Sequence, residues 1–188
     1  MTEYIIPKLI HQIWIGPNPE PVKWTNTIKI DYINTYPEYK YKLWNESNID
    51  ELFLDFPNLK IIYDLEKEWC GKSDLLRYLI LYYYGGIYID ADSVWINNKN
   101  VDELIDKSCG FFACKEPGKT FLVQGIVGTY KNNHVFLSLL NHIESYIISS
   151  SGDIIPKQYT KRRLVYGVYR TIGPLIFNHY ANNKNITI

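Results

Sequence analysis

From Ser73 to Ile96 the chain reads SDLLRYLILYYYGGIYIDADSVWI. Its first half predicts a helix, because Leu76, Leu79, Ile80 and Tyr83 recur at helical spacing. Ser73 is the expected N-cap, which would put Asp74 in the first turn, where a negative charge favours the helix dipole. Gly85 and Gly86 supply the stop, since glycine adopts the left-handed backbone a helix end requires. Ile87 to Ile89 is β-branched and aromatic and reads as a buried strand, closing in Asp90-Ala91-Asp92.

On an extended segment, residues two apart project to the same side. Asp90 and Asp92 would then aim two carboxylates at one spot, an arrangement stabilised by a divalent cation or a shared proton. Hard carboxylate oxygens suit magnesium or manganese, ions that commonly hold substrate phosphates. In a parallel α/β sheet, ligands gather at the carboxyl ends of strands, where this pair is placed. Asp74 and Arg77 are three apart and share a helix face. Two readings of them stand: an internal ion pair that anchors a buried helix, or two groups facing a cleft beside Asp90 and Asp92. In the second, Arg77 meets a phosphate or steadies a carboxylate, and Asp74 accepts hydrogen bonds from a sugar hydroxyl.

With S-D-L-L-R-Y, a short apolar run and G-G-I-Y-I-D-A-D in that order, the chain resembles the DXD-containing glycosyltransferases. The resemblance is to the group related to the yeast initiating mannosyltransferase and to capsular polysaccharide sugar transferases, with a similar block in glucosylating clostridial toxins. Ile6 to Gly16, I-P-K-L-I-H-Q-I-W-I-G, is similar to the family's opening strand, and Thr171-Ile172-Gly173-Pro174 resembles its T-G-P element with one inserted Ile. The resemblance implies an α/β, GT-A-like nucleotide-sugar-binding sheet flanked by helices. It also implies a nucleotide-sugar donor, with a UDP-sugar favoured and GDP-mannose second, usually manganese, and transfer of a hexose with retention. The acceptor would be a sugar or protein hydroxyl. By position, Trp14 matches the residue that stacks on the base, Asp74 and Arg77 match donor-sugar and ribose or phosphate contacts, and Asp90 and Asp92 match the metal pair, with Asp92 the more direct ligand. Relatives continue beyond T-G-P and add a metal or active-site contact there; Asn178 and His179 are the candidates for that role in this chain.

The 188 residues are expected to form one domain, with a possible break near 149–156, where Ser149 to Gly152 is polar and glycine-ended. Twenty basic and twenty acidic side chains balance, and no basic run alternates with aromatics, so nothing points to nucleic acid. No apolar stretch is long enough to span a membrane, and the N-terminus lacks the pattern of a signal peptide, from which a cytoplasmic location is expected. Cys70, Cys109 and Cys114 read as core residues.

Elsewhere the patterns predict a first strand over Leu9–Ile15 with a structural His11, then a proline-opened helix to Thr35 with Trp24 and Ile28 on its apolar face. A strand is expected over Tyr39–Trp44, a short helix over Ile49–Phe56 stopped by Pro57, a strand over Leu59–Tyr63 and a helical turn over Asp64–Trp69. Short elements follow at Val101–Asp106 and Gly110–Cys114, with a turn at Glu116–Lys119. Val123–Tyr130 reads as a strand whose two glycines suggest close approach to a ligand, and Asn132–Ile148 as an amphipathic helix with Phe136, Leu139, Leu140 and Ile143 inward. Basic Lys157–Arg163 reads as a solvated face or a neighbour of a diphosphate, and a final helix spans Pro174–Tyr180.

Two rival functions fit parts of the sequence. I-Y-I-D-A-D-S-V also resembles the first motif of aspartyl-phosphate phosphatases, but no later acidic pair after a strand supports it, and the S-D-L-L-R-Y block is then unexplained. A nucleotide-sugar or glycan-binding module with a degenerate site is the non-enzymatic alternative.

Overall fold

The computed structural model describes residues 4–96, 99–105, 110–115, 118 and 121–182. In chain order the elements are β1 (Leu9–Ile13), α1 (Val22–Asn26), a π-helical stretch (Thr27–Tyr32), α2 (Ile33–Thr35), β2 (Lys40–Trp44), a 3-10 turn (Asp50–Phe53), α3 (Pro57–Leu65), α4 (Trp69–Tyr84) and β3 (Gly86–Ile89). A 3-10 turn (Val101–Leu104), β4 (Phe111–Lys115), β5 (Leu122–Thr129), α5 (His134–Glu144), a 3-10 turn (Ser145–Ile147), α6 (Pro156–Thr171) and α7 (Pro174–Asn182) complete it.

The five strands form one sheet in the order β2-β1-β3-β5-β4. β1 pairs in parallel with β2 and β3, while β5 runs antiparallel to both β3 and β4. The sheet is therefore mixed, not wholly parallel. The chain leaves β1 to one side for β2 and returns to its other side for β3. This reversal opens a crevice between the carboxyl ends of β1 and β3, where open α/β sheets bind ligands.

Period-two alternation lets the central strands β1 and β3 bury both faces. Ile10, Ile87 and Ile89 pack under the π-helical stretch with Ile28 and Tyr32; Ile13, Tyr88 and Val127 pack against α3, α4, α5 and α7. Phe136, Leu139, Leu140 and Ile143 bury on the inner face of α5, and Asn133 caps it by accepting from the Val135 N–H. Gly85 (φ 61°) and Gly86 (φ 84°) turn α4 into β3; a Cβ on Gly86 would sit 2.4 Å from the Leu9 carbonyl oxygen. His11 is structural: it contacts the Gly85 carbonyl through Nε2 at 3.0 Å, and its Nδ1 accepts from Trp44 Nε1 at 3.0 Å. Burial pushes its pKa down to about 4, so it is neutral with the proton on Nε2.

Several sequence readings are corrected. Pro57 opens α3 instead of stopping a helix, and Leu59–Tyr63 is helical, because Leu59 and Ile62 at i and i+3 face the core together. The helix after it starts at Trp69, four residues before Ser73, so Ser73 is no cap and Asp74 lies beyond the first turn. Ser149 and Asp153 close a short turn, and Ile148 bridges Ile154 before α6 packs back on α3. Cys109, Asp106, most of Glu116–Lys119 and the end of the chain after Asn182 lie outside the described residues.

Candidate active site

At the crevice lies a cleft of about 460 Å³. The segment after β1 gives it Trp14, the N-terminal half of α4 gives Trp69, Cys70, Ser73, Asp74 and Arg77, and the end of β3 gives Tyr88, Asp90 and Asp92. Trp14, Asp74, Arg77, Asp90 and Asp92 all border this one space. Cys70, Asp74 and Arg77 fall at i, i+4 and i+7, which puts them on one face of α4.

Arg77 forms the floor, with its side chain 7% exposed. One terminal nitrogen is 3.0 Å from Asp74 Oδ1 and donates to Gln124 Oε1 at 3.1 Å. The other donates to Asp90 Oδ1 at 3.1 Å and to the Tyr88 hydroxyl at 3.3 Å. The guanidinium also lies over the Tyr88 ring, 4.3 Å from its centre. Both readings of the Asp74–Arg77 spacing therefore hold at once: the pair is internal, and it borders the cleft. Arg77 Nε is buried and has no partner among the described residues. Burial works against the charge, but Tyr88, Asp74 and Asp90 together keep it firmly protonated. Burial pushes the Asp74 carboxyl up to about 6 although Arg77 pulls the other way.

The two aspartates of the D-x-D differ. Asp90 is fixed: its N–H donates to the Gly125 carbonyl at 2.8 Å, its carbonyl accepts from Gln12 Nε2 at 3.1 Å, and its Oδ1 accepts from Tyr88 at 2.8 Å. Asp92 is exposed and has no hydrogen-bond partner among the described residues. The extended run ends at Ile89, and the Ser93 N–H closes a turn on the Asp90 carbonyl at 3.0 Å. A turn, not a shared strand face, brings the second carboxylate to the cleft. Gly125 answers the expected close approach in part: a Cβ there would lie 3.0 Å from Asp90 Oδ2. Gly128 instead makes room for the Phe112 ring.

Trp14 is half-buried, its ring nitrogen donating to the Asn18 carbonyl at 2.9 Å. Sequence reasoning missed two further indoles. Trp24, expected on an apolar core-facing side, is exposed at the cleft wall, and Trp69 lies so close to Gly16 that a Cβ there would meet its ring at 2.9 Å. Cys70, expected in the core, is exposed at the cleft. Tyr88 was legible as the residue two before Asp90, and Cys70 from its helical spacing to Asp74. Gln124, on a distant strand, carried no local signal.

Arg77 is tied to the C-terminal segment by a relay. Gln124 donates to the Tyr78 hydroxyl, which donates to the Ile172 carbonyl at 2.7 Å. Thr171-Ile172-Gly173-Pro174 thus supports the cleft floor from behind without bordering the cleft. Asn178, a candidate for the contact that relatives add beyond T-G-P, is spent on both backbone groups of Leu122. His179 is exposed, its ring against Tyr180, and does not border the cleft.

Residues 21–111 match the family described as glycosyltransferase sugar-binding region containing DXD motif. Over that span the chain is similar to the DXD glycosyltransferases. It is 41% identical over 88 residues to inositol phosphoceramide mannosyltransferase 3 of Schizosaccharomyces pombe, a match covering 46% of this chain and 24% of that protein. It is 27% identical over 201 residues to a mannosyl phosphorylinositol ceramide synthase of Saccharomyces cerevisiae, covering 94% of this chain and 49% of that one. The chain thus spans half or less of the length of these curated relatives. Among solved structures, the PaToxG glycosyltransferase superposes with a TM-score of 0.65 at 22% identity, over 96% of this chain and 70% of that one. The fold is that of the GT-A glycosyltransferase domains.

Proposed function

We propose that the chain transfers a hexosyl group from a nucleoside-diphosphate sugar to a hydroxyl acceptor. The observation that carries this is the cleft floor: a buried, permanently charged Arg77, with an unpartnered Nε, held between Asp74 and Asp90 beside a free Asp92. A cation fixed below a cleft is suited to a diphosphate. Trp14 stacks the base at the cleft's edge; such stacking is worth about 1–3 kcal/mol. Asp74 accepts from donor-sugar hydroxyls through its carboxylate, which has Arg77 as its one close partner among the described residues. Residues 1–188 work as a single domain in this reading, supported by the ties from α4 to Ile172 and from Glu66 to Arg163.

Asp90 and Asp92 would hold a manganese or magnesium ion. The donor set fits: two hard carboxylates border one space, and such ions complete their shell with water and substrate phosphates, so a third acidic ligand is not required. Among the described residues no group of three His, Cys, Asp or Glu is assembled. When bound, such an ion would offset charge on a departing nucleoside diphosphate. Arg77 contributes in the same sense from below, while Tyr88 and Gln12 keep Asp90 in place. Transfer with retention by attack from the leaving-group side would require no protein nucleophile, and none is assigned.

The curated relatives' names favour a mannosyl donor, so GDP-mannose is tested beside UDP-sugars, and they favour an inositol-phosphate glycolipid among glycan acceptors. Donor hydrolysis, measured across these nucleotide sugars with manganese, should fall about 10²–10³-fold in Asp92→Asn. An unchanged rate would remove Asp92 from the reaction.

A further inference from the structure

The face of α6 that points away from the protein is apolar and basic, the reverse of an ordinary surface helix. Lys157, Lys161, Leu164 and Val165 fall at i, i+4, i+7 and i+8, so they form one stripe, all before the break at Gly167 (φ 69°). Leu164 is 83% exposed and Val165 72%, and Ile154, just ahead of the helix, is also exposed. The opposite face is anchored: Tyr159 is buried and donates to Glu66 Oε2, and Arg163 Nε donates to the same oxygen at 2.9 Å. The stripe therefore cannot turn inward by rolling the helix.

Charge singles out this segment. The chain balances to zero, yet after Asp153 the sequence contains no Asp or Glu, while Lys157, Lys161, Arg162, Arg163 and Arg170 fall within α6. Only Arg163 among these is paired with an acid in the described structure; Arg162 instead lies over the Tyr146 ring at 4.3 Å. Exposed branched side chains flanked by unpaired lysines match the surface of an anionic bilayer. Leucine and valine enter the headgroup boundary while lysine stems lie along it with their ammonium groups at the lipid phosphates.

We propose that the outward stripe of α6 docks the protein on an anionic membrane surface. The anchored face of α6 is tied through Tyr159 and Arg163 to Glu66, three residues before Trp69 at the cleft wall. The inference rests on the surface of α6 and not on the transferase reading, so either can fail alone.

The test is co-sedimentation of the full chain with vesicles of phosphatidylserine mixed into phosphatidylcholine, against vesicles of phosphatidylcholine alone. Wild type should partition about thirty-fold more strongly onto the anionic vesicles, and high salt should erase most of that gain. Lys157→Glu/Lys161→Glu should abolish the preference, and Leu164→Ser/Val165→Ser should weaken binding about ten-fold. All four positions are exposed, and circular dichroism confirms that the variants fold. Equal partition to both vesicle types overturns the proposal. So does loss of binding in the lysine variant with none in the Leu164→Ser/Val165→Ser variant, which describes a general polyanion surface. A dimer in sedimentation velocity that Leu164→Ser/Val165→Ser dissolves also overturns it, because the stripe then covers a second copy.

Discussion

Two buried acids, Asp74 at the cleft floor and Glu66 at the seam between α3 and α6, have opposite surroundings. Glu66 is saturated. Its oxygens accept from the backbone N–H groups of Lys67 and Glu68, from the Tyr159 hydroxyl and from both ends of the Arg163 guanidinium. Burial opposes its charge, but Arg163, Tyr159 and the Glu68 N–H together hold its carboxyl below the usual range. Asp74 has Arg77 alone among the described residues, and burial drives it up to about 6. A saturated carboxylate serves the fold. One that is buried beside a cleft with acceptor capacity to spare is under strain that a bound ligand can relieve, and such perturbed groups gather at functional sites. The same contrast separates Asp90, whose Oδ1 accepts from both Arg77 and Tyr88, from Asp92, which is tied to nothing described.

The largest effect is expected where the cleft floor is emptied of its cation. Arg77→Ala leaves Asp74 and Asp90 facing each other beside Tyr88 without a counter-charge, and removes the partner of Gln124. Breaking a buried pair in this way costs about 3–5 kcal/mol. Urea unfolding should show that loss together with loss of donor hydrolysis. Retained stability would mean that the two carboxylates pick up protons or solvent cheaply, and the cleft floor would be no more strained than the seam.

Titration tests the strain directly. The Asp74 carboxyl is raised from 3.8 to about 6, so its contribution to stability is fully present below 3.8 and is lost as pH rises through about 6. His11 is lowered from 6.5 to about 4, so its contribution is present above 6.5 and is lost as pH falls toward 4. Each amounts to about 3 kcal/mol, with opposite sign, across nearly one window. Wild type should therefore show little net slope from these two groups between pH 4 and 6.5. Asp74→Asn should unmask the histidine, with stability rising as pH rises, and His11→Gln should unmask the aspartate, with stability falling. Denaturant midpoints measured across that range check both, and parallel profiles for the three proteins would sink the assignment.

These pairings explain what was legible in the sequence. The helix, the glycine stop, the strand and the D-x-D could be read because each depends on residues within one or two turns of each other. Asp74, Arg77, Asp90 and Asp92 were singled out by their spacing and, with Trp14, given roles through a resemblance; their convergence follows from where β1 and β3 end and α4 begins. What was missed depends on distance in sequence. Gln124 reaches Arg77 from β5, Glu66 reaches Arg163 across the α3–α6 seam, and Trp24 and Trp69 face a cleft that exists only once the sheet has formed. Leu59–Tyr63 was misread because a short, mostly apolar segment fits either a strand or a helix until Leu59 and Ile62 are seen packed together.

At the seam, Glu66→Ala should cost about 2 kcal/mol, less than the cleft floor, because Arg163 is partly exposed and can turn its freed guanidinium to water. Hydrolysis per folded molecule should be unchanged, since Glu66 does not border the cleft. A matching drop in turnover would place the seam within the functional unit and erase the contrast.

Asp92→Asn marks the other end. It removes a charge that is exposed and makes no described hydrogen bond, so unfolding should shift by no more than about 0.5 kcal/mol. With the large loss in donor hydrolysis expected of the same variant, Asp92 would separate activity from stability more completely than any other position in the cleft. Asp90→Asn would not, because it weakens the acceptor for Arg77 and Tyr88 and so disturbs the floor as well. A stability loss in Asp92→Asn equal to that of Asp90→Asn would show that both halves of the motif are built into the fold alike. The division between a carboxylate that holds the protein together and one kept free for a ligand would then be wrong.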